Sequence, residues 1–299
     1  MYDVLIVGGG PAGLSAALVL GRCRRRVLVC DTGRPRNSVS WRVSGYLGHD
    51  GIKPADFRRV GREQIASYDS VEFRDVPVED ARPSEGGFEV VMHGGERVRT
   101  KKLIVATGLV NELPEIPGFC ELWGHGVYHC PYCDGWEHRD QGIAVYGRGR
   151  KGMNFALELT VWSRDIVLCT DGASRLEPAD VERLARHGVR VDERRLLRLE
   201  GDAEGLHRVV FRTGEPLPRG ALFLIPKEHQ AAAELVERLA CETTSKGRVR
   251  TGEYECTNVP GLYVAGDSSR RVQFAIVAAA EGAMAAFAIN NELVNEETA

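Results

Sequence analysis

The sequence predicts an α/β fold of two three-layer domains, the second inserted into the first. Three observations carry this expectation. A short apolar strand over 2–7 enters "GGGPAG" and then a helix; the same order returns at "IAVYGRGRKG"; and two further strands, ending "VATG" and "VAGD", lie one on each side of that second copy.

The first unit starts with the strand 2–7, passes Gly8, Gly10 and Gly13, continues through the helical "LSAALVLGRC" and closes with "RVLVCD", a strand ending in Asp31. The three glycines serve different physical needs. Gly8 lets the chain turn tightly, Gly10 lets backbone approach a pyrophosphate, and Gly13 lets helix and strand pack closely. Asp31 then accepts from a ribose hydroxyl. Strand, G-x-G-x-x-G spacing, helix and strand-end acid in one short unit mark a Rossmann-like nucleotide-binding domain. The segment "RVRTKKLIVATG" adds a strand that ends in Thr107 and Gly108, after which Pro114 and Pro117 in "ELPEIPG" read as a linker. The second unit runs from a strand to Gly147, Gly149 and Gly152, then the helical "MNFALELTVW", then the strand "DIVLCTD" ending in Asp171. The polar stretch 242–253 reads as the return path, and "GLYVAGD" ends a further strand in Gly266 and Asp267. The expected domains are therefore 1–113 together with 249–299, and 118–244.

Bulk composition narrows the function classes. The chain has 299 residues, 43% hydrophobic and 27% charged, which suits a globular protein with sizeable cores. A net charge of -3 and a pI near 6.3 leave no broad basic surface, so nucleic acid is not an expected partner. The opening "MYDVLIVGGG" has no charged leader and no apolar run reaches membrane-spanning length; the expectation is a cytoplasmic protein without a membrane partner. In a reducing compartment eight cysteines are not a disulfide framework, and the spacing in "HCPYCDGWE" makes Cys130 and Cys133 either redox-active or metal-binding. The other six, such as Cys30 in "VLVCD" and Cys169 in "IVLCT", are expected mostly to pack in cores. A zinc site wants four ligands, and only His129 and His125 stand near the pair.

The ordered set GGGPAG, VATG, CPYCDG, a second G-x-G-x-x-G and VAGD resembles the low-molecular-weight thioredoxin reductase family of flavoproteins, over essentially the whole chain. The resemblance implies FAD in the first domain, held by Gly8, Gly10, Ala12, Gly13, Asp31, Thr107, Gly108, Gly266, Asp267, Gln273, Phe274 and Ala275, with Asp267 at the ribityl chain. The helix "QFAIVAAAEGAMAAFAIN" then points its N-terminus at the flavin ring, where backbone N–H groups favour negative charge, although its Ala-rich face must also pack. It also implies that Cys130 and Cys133 form a redox disulfide that faces the flavin in one domain orientation. Cys133 is the flavin-proximal thiol, Cys130 exchanges with substrate, and Asp134 moves protons. The alternative for Asp134 is a helix N-cap. A homodimer is implied as well.

Departures from the family bear on the donor and the substrate. Members that use NADPH carry an acidic pair after the second glycine motif and a His-Arg-Arg stretch at the next strand end; here those regions read Asn154-Phe155 and Cys169-Thr170-Asp171. Asp171 repels a 2'-phosphate but suits an unphosphorylated ribose. The second site is therefore expected to take NADH or, since Arg148, Arg150 and Lys151 lie near a pyrophosphate, a second FAD. These charges are otherwise loop decoration, and some relatives with such changes take electrons from a ferredoxin-type donor. The expected partner of the disulfide is a thioredoxin-like protein or a small-molecule dithiol. Trp136 and Glu137 resemble the "CPYCxGWE" form of bacterial oxygen-dependent dithiol oxidases, which carry His where Asp134 stands; His129 is the candidate base in its place, or a surface residue. A flavoprotein redox sensor without turnover is the remaining alternative.

Overall fold

The computed structural model describes residues 1–270 and 272–299. In chain order its main elements are β1 (Tyr2–Val7), α1 (Pro11–Arg22), β2 (Val27–Cys30), α2 (Pro54–Ile65), β3 (Val71–Arg74), β4 (Val78–Ser84), β5 (Gly87–Met92), β6 (Arg97–Val105) and β7 (Leu109–Glu112). There follow β8 (Val127–Tyr128), α3 (Pro131–Asp134), β9 (Ile143–Tyr146), α4 (Gly149–Leu159), β10 (Ile166–Cys169), α5 (Pro178–Arg186), β11 (Val189–Asp192), β12 (Leu196–Asp202), β13 (Gly205–Phe211), β14 (Leu217–Pro218) and β15 (Ala221–Leu224). The chain closes with β16 (Lys227–Gln230), α6 (Ala233–Arg238), β17 (Leu262–Val264) and α7 (Ala275–Thr298).

The chain folds as two compact units, one of Met1–Ser38, Tyr46–Val110 and Glu228–Ala299, the other of Val39–Gly45 and Asn111–Lys227. In the first, the strands run β3-β2-β1-β6-β5-β4. The pairings of β3, β2, β1 and β6 are parallel, and β4 and β5 are antiparallel to their neighbours. The length of β6 lets it hold β5 along its first half and β17, in parallel, along its second. Both faces of β1 are covered, which is why it reads as an unbroken apolar run. Val4 and Ile6 pack with α1 and α7, while Leu5 and Val7 pack with Phe88, Val90 and Met92 of β5. Pro11 suits the first position of α1, where its missing N–H costs no helical bond. Small residues bring α7 close to it: a Cβ on Gly282 would lie 1.9 Å from the Ala12 carbonyl oxygen.

The second unit has an all-parallel sheet, β11-β10-β9-β15-β8, with α4 and α5 packed on one face and the antiparallel β12-β13-β14 sheet on the other. The chain leaves and returns through the paired strands β7 and β16. The return comes at Glu228, earlier than the expected 249, because Leu235, Val236 and Leu239 bury themselves against β1 and β5.

The expectation that the other cysteines mostly pack in cores needs correction at Cys23 and Cys120 only, since Cys241 and Cys256 pack against core clusters. Of the six outside the pair, Cys30 and Cys169 are buried, Cys241 and Cys256 are partly covered, and Cys23 and Cys120 are exposed. Cys23 is exposed because it ends α1. Burial pushes the Cys30 thiol up to about 11 and that of Cys169 to about 12, so neither is a nucleophile at neutral pH. No helix among the described residues is long and apolar enough to cross a membrane.

Candidate functional site

In the first unit the predicted residues gather at the carboxyl ends of β1, β2, β6 and β17, where ligands bind in open parallel sheets. Gly8 has φ +108°, and a Cβ there would lie 2.4 Å from the Ala106 carbonyl oxygen. At Gly13 a Cβ would come within 1.8 Å of the Gly8 oxygen, so this glycine is required by packing alone. Gly10 differs: a Cβ there meets nothing within 4 Å, and the start of α1 carries no side-chain cap. The first turn of α1, at Ala12 and Gly13, thus offers N–H groups that have no partner within the helix. Thr107 Oγ1 is buried without a hydrogen-bond partner among the described residues. A loop with open space over Gly10, an uncapped helix start and an unpaired buried hydroxyl fit the phosphates and polar atoms of FAD.

Asp31 ends its strand as expected, and two arginines of α2 hold it: Arg58 binds Oδ2, and Arg62 lies 3.4 Å from it. Arg58 also donates to the Gly9 and Gly33 carbonyls. Gly108 (φ +69°) accepts from Ser268 Oγ at 3.1 Å, and Gly266 donates its N–H to Glu281 Oε2 at 2.7 Å. Burial drives Asp267 up from the usual carboxylate range against the pull of Arg36, 3.2 Å away. Arg36 also binds Gln273 Oε1 and Glu228, and Gln273 Nε2 donates to Glu228 at 3.0 Å. Phe274 caps α7 and Ala275 begins it. Arg36, Arg58, Glu228 and Glu281 escaped the sequence reading because they reach the site through pairings distant in sequence and belong to no local motif.

In the second unit Cys130 and Cys133 are joined in a disulfide across the short helix α3. Cys130 is the N-cap of that helix, its sulfur accepting the Cys133 N–H at 3.1 Å, so Asp134 does not fill the capping position. Asp134 is half-buried, and burial first, then Glu137, raise its carboxyl to about 7 against the opposing charge of Arg42. Tyr132 and Trp136 are 62% and 64% exposed on either side of Cys133. Arg139 lies over the Trp136 ring at 4.1 Å, and Tyr132 meets Trp162 edge-on. His129 stacks on Trp123, ring centroids 5.4 Å apart.

The second glycine motif keeps its close packing: a Cβ on Gly152 would lie 2.7 Å from the Gly147 carbonyl carbon. Its rim is filled by the chain itself. Gly149, at φ +57°, donates its N–H to the Ser174 oxygen at 2.8 Å. Arg148 folds onto the Thr170 and Asp171 carbonyls, and its guanidinium lies 3.2 Å from Asp171 Oδ2. Asp171 also accepts the Leu196 N–H at 2.9 Å and lies 3.7 Å from Arg195, while Arg150 pairs with Asp180. Arg148 is therefore anchored, whereas Arg150 keeps a largely exposed side chain in a surface ion pair.

The pyridine nucleotide-disulphide oxidoreductase family matches residues 2–282. The thioredoxin reductase tcpT of Claviceps purpurea is 32% identical over 283 residues, covering 90% of this chain and 87% of its own. Among solved structures, HlmI has a TM-score of 0.93 at 36% identity, covering 99% of this chain and 94% of that one. The oxidoreductase from Agrobacterium tumefaciens has a TM-score of 0.91 at 35% identity and covers 98% of each chain.

Proposed function

Since the chain belongs to the pyridine nucleotide-disulphide oxidoreductase family, as a thioredoxin reductase-like flavoenzyme, we propose that FAD bound in its first unit exchanges electrons with the Cys130–Cys133 disulfide. The disulfide in turn serves a thioredoxin-like protein or a small dithiol. The observation that carries this reading is the disulfide itself, closed beside a half-buried carboxyl that titrates near 7. FAD, when bound, supplies a two-electron carrier. Gly10 and the start of α1 bind its pyrophosphate, Asp31 its adenosine ribose and Asp267 its ribityl chain. Cys130, whose sulfur already accepts an N–H, exchanges with the substrate, and Cys133 leaves as thiolate.

A 2'-phosphate at the second glycine motif would compete with Asp171 for Arg148 and Arg195. The donor is therefore NADH or a ferredoxin-type protein rather than NADPH, or the site holds a second FAD. Exposed Tyr132 and Trp136 favour a second reading, in which a small dithiol packs against them and is closed to a disulfide at the expense of oxygen. The exposed residues Ile276, Met284, Phe287 and Val294 of α7 support a homodimer.

Cysteine variants test the assignment. Cys130→Ser leaves Cys133 as a free thiolate beside the flavin and should show a long-wavelength charge-transfer band, while Cys133→Ser should not. A band in the reverse variant overturns the roles; a band in neither overturns the pairing of disulfide and flavin.

A further inference from the structure

Glu137 lies three residues after Asp134 on the turns that continue α3, where Gly135 N–H donates to Pro131 at 2.7 Å and His138 N–H to Gly135 at 3.2 Å. Residues so spaced share a face. One oxygen of Glu137 accepts from Arg42 at 3.2 Å. The other, Oε2, is buried without a hydrogen-bond partner among the described residues, as is Nδ1 of the adjacent His138. A buried carboxylate oxygen left without a donor is costly, and a native fold keeps one where a proton or ligand completes it. The charged and titratable groups that bear on Asp134 and Glu137 are Tyr128 on β8, His138 after α3 and Arg42 on segment 39–45.

We propose that Asp134 takes up and returns the thiol proton as one of a carboxyl pair with Glu137, and that the opposite charges of Glu137 and Arg42, paired beside it, set how firmly Asp134 keeps that proton. Glu137 and Arg42 are positioning residues for that proton. The inference rests on the disulfide reading above and adds its proton path. A substrate thiol attacks the Cys130 sulfur, the Cys130–Cys133 bond breaks, its electron pair leaves on Cys133, and the thiol proton passes to the pair. The second substrate thiol, its proton released to water, then attacks the substrate sulfur of the mixed disulfide and closes the substrate disulfide; Cys130 departs and recovers the first thiol's proton from Asp134, while Cys133 stays a thiolate. Two electrons have moved from substrate to the enzyme dithiol.

The pair is tested by the pH profile with which dithiothreitol reduces the disulfide in FAD-loaded protein. Reduction is followed without oxygen as flavin bleaching, and in parallel as iodoacetamide labelling of Cys130 and Cys133 read by mass spectrometry. The unmodified protein should show an inflection near pH 7. Glu137→Gln removes a like charge and should move it down; Arg42→Gln removes an opposite one and should move it up, each by roughly half a unit to one unit. Asp134→Asn should abolish it. Profiles of the first two variants that superimpose on the parent, or shift the same way, overturn the inference. Labelling that follows the expected shifts while the flavin stays oxidised supports the pair and overturns the reading on which it rests.

Discussion

Gly13 and Gly152 occupy the same place in two copies of one motif, yet the loops before them are finished differently. In the first unit the space over Gly10 is open, its conformation (φ -78°) is available to any residue, and the start of α1 carries no cap. In the second unit the equivalent Gly149 is left-handed, gives its N–H to Ser174, and has Arg148 folded back on the strand end beside it. Close packing of strand and helix and an open cradle for a ligand are therefore separable properties. A glycine pattern read from sequence reports the first and only suggests the second.

The largest effect expected is at the packing glycines. Gly13→Ala sets a Cβ against a backbone oxygen at 1.8 Å, whereas the nearest atom to a Cβ at Gly152 is 2.7 Å away. Chemical denaturation should show losses on the order of 3 kcal/mol for Gly13→Ala and about 1–2 kcal/mol for Gly152→Ala. Equal losses would break the comparison.

Moving one step towards solvent should invert the pattern. Gly10→Ala should change stability by less than about 0.5 kcal/mol, yet reduce heat-released FAD per chain at least tenfold if the pyrophosphate rests there. Gly149→Ala, forced into a left-handed conformation, should cost roughly 1–2 kcal/mol and leave that FAD in place. Two flavins per chain in the parent protein, one of them lost in Gly149→Ala, would show that the second rim opens to a ligand.

The smallest effect is a pH slope confined to the first unit. Burial, helped by the nearby charge of Glu255, holds Glu281 up at about 7, above its ordinary 4.5, against the Gly266 N–H and Arg270, which both favour its charged form. The native state thus binds this proton more tightly than the unfolded chain does. Its contribution to stability is complete below pH 4.5 and is lost as pH rises to about 7. Thermal unfolding of Glu281→Gln should lack this part of the decline between those values; an unchanged slope would remove Glu281 from the account.

The strands and helices that carry the site were legible because each motif is local. A strand, its glycines, the next helix and the acid at the following strand end all lie within a few dozen residues, and period and turn chemistry suffice to read them. The groups that tune the site were not. Arg58 reaches Asp31 from α2, Arg36 meets Asp267 and Glu228 across most of the chain, and Arg195 approaches Asp171 from the start of β12. Long-range pairings leave no periodic trace. The near-neutral carboxyl of Asp134 was equally hidden, since it depends first on how much solvent the fold removes and only then on its sequence neighbour Glu137. The exposed Cys23 and Cys120 show the converse, an apolar or helical setting in sequence that ends at the surface in space.

The first unit is written in separated pieces, and synthesis imposes an order on them. By the time Lys227 has left the ribosome the entire second unit is available to fold, while the parallel sheet of the first still lacks β17 beside β6 and its central helix α1 still lacks α7. The apolar faces of β6 and α1 must wait, exposed, for the final segment beginning at Glu228. A stalled or shortened chain would therefore leave the part assigned to flavin as the sticky one, and late arrival of the flavin itself would prolong that interval.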